Sequence, residues 1–552
     1  MKSGGLPRLV PFSLPSCKRV SLRAHPLPFL KRVTLATSPW LCRPHFCSSP
    51  SFSTHTNGVN EDTEDGGPKP DEHFRHSQLN SMFRWLNERG PAFEVDPHRV
   101  QFLEQPSQFL DRLEEGIKQA QHRVVLSALY LGTSSPQVDR LMAALHSACR
   151  ANSQLQVHLH FDHCRSTRDP KGLEELHRLQ AAFPERVKVT LFQVPAPLWW
   201  QWGHRLVPSP RFKEVFGLSH IKAFLFDDDL ILSGANLSTD YFTDRKDRYM
   251  VMEQAPALAH FFSRLMETVG DLSWHLDPRS KQVESNALLP KEEANRRLSS
   301  LLRDSSRLHP LPSSSSPPLN KQKGGATWVL PTLQMAPFGI RHDEEITSFL
   351  FRGSCDSSPS PPLSTFHISS AYLNFTERYT QDLLHFPSQQ RTKQSIEILT
   401  AAPEANSFFG GSGVARHITH CYTCLERALF ERIRSAGLEN SIRLYEWQQG
   451  GPSSKKWTYH AKGLWLSPSP SSSSARVTIL GSPNFGKRSV ERDLEASVVL
   501  LTEDAALAER LDKERESLWE HAKPVTEELF QRADRQPAAW LPYLTPYLSS
   551  FF

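Results

Sequence analysis

The sequence predicts an α/β sandwich built from two similar halves, and three observations point there. Apolar strand-like runs alternate with amphipathic helical stretches through most of the chain. The tetrapeptide Ala128-Leu129-Tyr130-Leu131 has a counterpart in Ser370-Ala371-Tyr372-Leu373. A His-x-Lys pair follows each, His220/Lys222 after 90 residues and His460/Lys462 after 88. Such matched spacing reads as an internal duplication of about 200 residues.

Length and composition agree with this. A chain of 552 residues exceeds one hydrophobic core. No run approaches the length of apolar sequence that spans a bilayer. Residues 1–60 carry eight cations, Lys2 to Arg43, and no acid before Glu61. This basic, Ser-rich stretch has the composition of a transit peptide; a basic tail is the alternative. The whole chain is +5 and its first 60 residues supply +8, which leaves −3 for residues 61–552. That balance argues against gripping a nucleic-acid backbone.

Taken in order, residues 61–78 are a Gly/Asp/Pro-rich linker. The first half, 79–275, starts with a helix at FRWLNERG. Three helix–strand units end in the strands HRVVLSALYLG, QVHLHFD and VKVTLFQV. The segment HIKAFLFDDDLILSGANLS then reads as two buried strands around an acidic turn, followed by the strand DRYMVME and a helix. Residues 276–325 are polar and read as a linker or long loop. The second half, 326–525, repeats the pattern, and 526–552 is an aromatic tail.

Eight cysteines at this length do not make a disulfide framework. Cys421 and Cys424 form a CxxC behind His417 and His420, but the stretch 414–435 reads as one helix. One helical face cannot wrap a tetrahedral ion, so no metal is expected. The glycine-bearing turns do not match an ATP-binding loop. Trp199, Trp200, Trp202 and the tail AWLPYLTPYLSSFF are candidates for a membrane interface, with core aromatics or a docked tail as the alternative.

On a strand, His220 and Lys222 share a face, as do His460 and Lys462. A nucleophilic imidazole beside a fixed cation suits the handling of phosphate. Each pair is followed by an Asn-bearing turn, at Asn236 and Asn484, and by an acid opening a strand, Asp247 and Glu495. Gly132 and Thr133, after a strand end, are candidates to line a phosphate pocket. Arg165 and Arg168 are candidate anchors for anionic substrate, or members of a solvated loop.

The segments HIKAFLFDD…SGANLSTDYF…DRY and YHAKGLW…GSPNFGKRS…RDLEA together resemble the phospholipase D superfamily, in its branch that uses CDP-diacylglycerol. The resemblance covers about residues 80–525. It implies a duplicated phospholipase D-like sandwich with both HxK segments in one cleft. His220 would form a phosphatidyl-histidine, and His460 would act as general acid, then base. Lys222, Lys462, Asn236 and Asn484 would hold phosphate oxygens, so that no cofactor is required. Asp247 and Glu495 would fix imidazole tautomers. Asp227 completes the first motif and is counted with the catalytic set, with structural support of the motif as its other reading, whereas Ser467 stands at its place in the second. The resemblance further implies CDP-diacylglycerol as donor and glycerol 3-phosphate as acceptor, with serine or water as alternatives. It also implies a peripheral membrane enzyme on the matrix side of the inner mitochondrial membrane, with no nucleic acid partner. Oligomeric state is not read from the sequence.

Overall fold

The computed structural model describes residues 73, 74 and 76–551, except 196–213, 215, 285–289, 309–324, 353–364, 386–394, 412–415, 451–455 and 468–473. The basic N-terminal segment and the Trp199–Trp202 cluster lie outside the described residues.

Two mixed sheets carry the fold. In the first, the strands Val187–Phe192, Gln156–Asp162 and Arg123–Ser127 run parallel, and Ala223–Phe226, Asp229–Ser233 and Tyr249–Met252 continue it antiparallel. In the second, Ile442–Trp447, Ser395–Ala401, Thr365–Ser370, Lys462–Ser467, Val477–Gly481 and Glu495–Thr502 follow the same order and the same directions. The duplication inferred from spacing is therefore a duplication of topology.

The side-chain alternation explains the layering. Ala223, Leu225, Leu230, Leu232, Met250 and Met252 share one core with Trp465, Ala496, Val498 and Leu500 of the other sheet. Their neighbours Phe224, Phe226, Ile231, Tyr249 and Val251 point away, against the helices Pro106–Gln119 and Pro136–Ala151. Leu464, Leu466, Val499 and Leu501 do the same in the second half. Both faces of each central strand are buried, so the strands read as continuous apolar runs. The buried Arg248 guanidinium crosses between the halves. It forms two 2.8 Å bonds to Glu514 and lies 3.9 Å from the Trp465 ring centroid.

Two boundaries differ from the sequence reading, and the tail follows its docked alternative. The helix Ser77–Asn87 and the adjoining Phe74 pack in the core of the second sheet, so the chain enters through the half it completes last. Within the supposed linker 276–325 lies the helix Lys291–Leu308, whose Ala294, Leu298, Leu301 and Leu302 enter the core between the sheets. Its high polar content hides a regular apolar stripe. The tail is docked: in the helix Leu541–Leu548, Leu541 and Thr545 are buried, and Ser549 O accepts a bond from Asn374 Nδ2. The CxxC lies on the helix Ile418–Ser435, where Cys421 is buried.

Candidate active site

The two HxK segments meet where the halves exchange backbone. His220 N–H donates to Leu494 O and His460 N–H donates to Lys246 O, both at 2.8 Å. Thr458–Tyr459 pairs in parallel with Arg245–Lys246, and Ser219 bridges Leu494 in the same sense. Each histidine is thus held by the residue just before the acid of the opposite half. Both imidazoles line a common cleft of about 490 Å³.

The side chains cross in the same way. His220 Nδ1 lies 2.9 Å from Glu495 Oε2, and His460 Nδ1 lies 2.7 Å from Asp247 Oδ2. A carboxylate can only accept, so donation from Nδ1 leaves each Nε2 its lone pair. At His460 the 2.7 Å contact with Asp247 competes with Lys462 Nζ, 2.9 Å from the same Nδ1, and the shorter carboxylate contact sets the proton there. Burial, followed by the neighbouring lysine, holds both imidazoles well below the ordinary histidine range, which favours the neutral ring. Burial pushes Asp247 up to about 6 despite Lys462, and it raises Glu495 despite Lys222. Gly234 makes room for this cluster, since a Cβ there would stand 2.6 Å from Lys462 Nζ and 2.7 Å from Asp247 Oδ1.

Lys222 and Lys462 are buried beside their own motifs. Lys222 Nζ donates to His220 O at 2.6 Å, and Lys462 Nζ lies 2.9 Å from His460 Nδ1. Burial lowers the pKa of both. Asn236 lines the cleft, with its Oδ1 on Leu129 N–H and its Nδ2 on the Tyr241 hydroxyl, while Asn484 lines the opposite side.

Three expectations are corrected. Asp227 is not in the cleft. It sits on the hairpin turn at φ 52°, and its carboxylate accepts the N–H groups of Gln121, His122 and Arg123 at 2.7–2.9 Å. Burial alone would raise its pKa, but these amides outweigh it and hold the carboxyl below its usual range. Gly132 packs against Ser238, and Thr133 is exposed; neither lines the cleft. Arg165 does line it, over the Tyr130 ring at 4.9 Å, whereas Arg168 bonds Glu214 outside the lining.

The sequence reading passed over several cleft residues. Arg245 and Arg488 are two of them, facing Asp240 and Asp493 as the anticipated Arg165 faces Glu214. Tyr130 and Tyr372 marked the repeat, and they also project into the cleft. Tyr422, between the two cysteines of the CxxC, is a further lining residue. Tyr241 is another, with its hydroxyl 3.3 Å from His460 Nε2.

A doubled α/β sandwich with one HxK histidine from each half at a shared cleft defines a phospholipase D-type phosphotransferase. No family model matches the chain. It is 34% identical to a probable CDP-diacylglycerol–glycerol-3-phosphate 3-phosphatidyltransferase of Dictyostelium discoideum, over 83% of this chain and 79% of that protein. It is 35% identical to the mitochondrial enzyme so named in Homo sapiens, over 85% of this chain and 86% of that one. The phosphatidylserine synthase of Haemophilus influenzae shares the fold, with a TM-score of 0.61 at 17% identity, over 86% of this chain and all of that one. The chain belongs to the CDP-diacylglycerol–glycerol-3-phosphate 3-phosphatidyltransferase family.

Proposed function

We propose that the cleft transfers the phosphatidyl group of CDP-diacylglycerol to sn-glycerol 3-phosphate and releases CMP, by way of a phosphatidyl-histidine. One observation carries this reading: two imidazoles, each with Nδ1 on a buried carboxylate of the opposite half, face a common cleft. His220 Nε2 attacks phosphorus, and the electron pair of the breaking P–O bond leaves with CMP. The acceptor hydroxyl then attacks, its proton passes to His460 Nε2, and the P–N electron pair returns to His220. Lys222, Lys462, Asn236 and Asn484 supply the positive charge and hydrogen bonds that phosphate oxygens need, so the mechanism calls on no metal or cofactor. The names of the relatives support glycerol 3-phosphate as acceptor.

A peripheral association with a mitochondrial membrane, on the matrix side of the inner one, fits this chemistry. Among the described residues no helix is long and apolar enough to cross a membrane, yet the donor is a lipid. Trp540, Tyr543, Leu544 and Tyr547 form an exposed, uncharged helix face, and Trp540 contacts His417 beside the cleft residue Ile418. Aromatic side chains of this kind favour the membrane–water interface.

The test supplies the purified protein with CDP-diacylglycerol in mixed micelles and offers glycerol 3-phosphate, serine or water. CMP release that depends on glycerol 3-phosphate is expected. Release that depends on serine alone, or that proceeds in water without an acceptor, would overturn the reading.

A further inference from the structure

We propose that Tyr241 is the positioning residue that makes the two histidines unequal, its hydroxyl reserving His460 as proton acceptor and leaving His220 as nucleophile. The inference rests on the reaction proposed above and deepens it.

The hydroxyl has one proton to give. Asn236 Oδ1 accepts from Leu129 N–H, so Asn236 Nδ2 is the donor to Tyr241 Oη at 3.1 Å. The Tyr241 proton is therefore directed to His460 Nε2, 3.3 Å away, with the rings 5.2 Å apart and nearly perpendicular. Tyr241 is buried, and the Arg245 guanidinium lies 4.5 Å from its ring centroid, a cation–π contact that helps fix the ring.

The duplicated fold provides an internal control. Tyr241 stands five residues after Asn236, and the same step after Asn484 reaches Ser489. The Ser489 hydroxyl accepts Asn484 N–H at 3.2 Å and bonds the Glu495 side chain. At the second Asn turn the equivalent hydroxyl thus serves the backbone and the carboxylate, while at the first it serves an imidazole. The sites also differ in their lysines, Lys222 Nζ donating to His220 O and Lys462 Nζ lying 2.9 Å from His460 Nδ1, but it is at His460 that a tyrosine hydroxyl meets Nε2.

The consequence is chemical. A lone pair that accepts a hydrogen bond is a poorer nucleophile, which disfavours attack by His460. In the second step the acceptor hydroxyl takes the place of the Tyr241 hydroxyl at this lone pair and passes its proton to Nε2. Asp247 on Nδ1 and Tyr241 on Nε2 together select the tautomer that can do so. Besides these two, His460 is faced by Lys462, Arg245, Lys222 and His220 through charge and by the Tyr372 ring at 5.6 Å. None of these groups donates to Nε2 as closely, Lys462 Nζ being 3.5 Å away.

The test is rapid-quench kinetics of the full chain in micelles, comparing wild type with Tyr241→Phe and Tyr241→Ser. Without acceptor, the CMP burst should fall much less than acceptor-dependent turnover in both variants. With glycerol 3-phosphate, kcat should fall by about 10- to 100-fold at little change in KM. The phosphatidyl-enzyme should accumulate, with part of the label on His460. Fluorotyrosine at position 241 should restore turnover, with a pH–rate profile displaced in step with its phenol acidity. Wild-type kcat in Tyr241→Phe, or equal loss of burst and turnover while fluorotyrosine leaves the profile unmoved, would overturn the proposal. A wild-type chain with no CMP burst would instead remove the underlying reaction.

Discussion

His220 is oriented by Glu495, a carboxylate 275 residues further along the chain, with Nδ1 and Oε2 2.9 Å apart. His460 is oriented in turn by Asp247, so neither half contains a complete catalytic pair. The active site exists only when both sandwiches are assembled. In the reaction proposed above, each carboxylate would set the tautomer and support the positive charge its imidazole gains.

This crossing separates the two steps by mutation. Glu495→Gln should cut formation of the covalent adduct by about 10²- to 10⁴-fold, because the nucleophile loses its orienting charge. Asp247→Asn should leave the adduct forming and slow its breakdown by acceptor. Quench-flow separation of CMP release from product formation reads both rates. The opposite assignment of slow steps would contradict the pairing.

The pH dependence follows from Asp247, whose carboxyl burial pushes up to about 6 against the pull of Lys462. Above that value it is a carboxylate and accepts the His460 Nδ1 proton; below it the acid is neutral and the orientation is lost. The acid limb of kcat/KM should therefore bend near pH 6, and Asp247→Asn should remove that limb. A wild-type profile flat from pH 7 to 5 would rule this out.

Asp227 acts on stability. Its carboxylate clamps the start of the strand Arg123–Ser127 through three amides. Asp227→Ala should lower unfolding free energy by about 1–3 kcal/mol while the folded fraction keeps near-normal kcat. Because the folded carboxyl is held below its usual range, the contribution is present at neutral pH. It disappears as pH falls through that depressed value. Urea midpoints at pH 7 and pH 3 measure it; a kcat loss like that of His220→Ala would return Asp227 to the catalytic set.

The exposed face of the C-terminal helix predicts a split between binding and chemistry. Tyr543 and Tyr547 are each 78% exposed and stand away from the cleft lining. Changing both to Ser should weaken binding to vesicles of phosphatidylcholine and an anionic phospholipid by about tenfold. Turnover of a short-chain, soluble donor should be unchanged. Undiminished sedimentation with vesicles would remove this helix from the interface.

Much of this site is legible in the sequence, and the illegible part has a physical origin. His220, His460, Asn236 and Asn484 declare themselves because their chemistry repeats at matched spacing. Asp247 and Glu495 are also readable as imidazole partners. Their exchange between halves is not, since the acid nearer to each histidine in sequence pairs in space with the other histidine. Asp227 reads as catalytic because it shares a motif with His220, whereas the hairpin turns it to the opposite end of the strand. Tyr241 is invisible for the opposite reason: a tyrosine beside Phe242 looks like core until its hydroxyl is seen against His460. The helix Lys291–Leu308 is lost in its own polar composition.

The central claim is that His220 carries the phosphatidyl group. Phosphorus-labelled CDP-diacylglycerol, incubated without acceptor and quenched in base, should leave acid-labile label on a peptide containing His220. The label should be absent from His220→Ala and retained in His460→Ala. Label retained in His220→Ala and lost in His460→Ala would contradict the account, as would acceptor-dependent turnover with no covalent label at all.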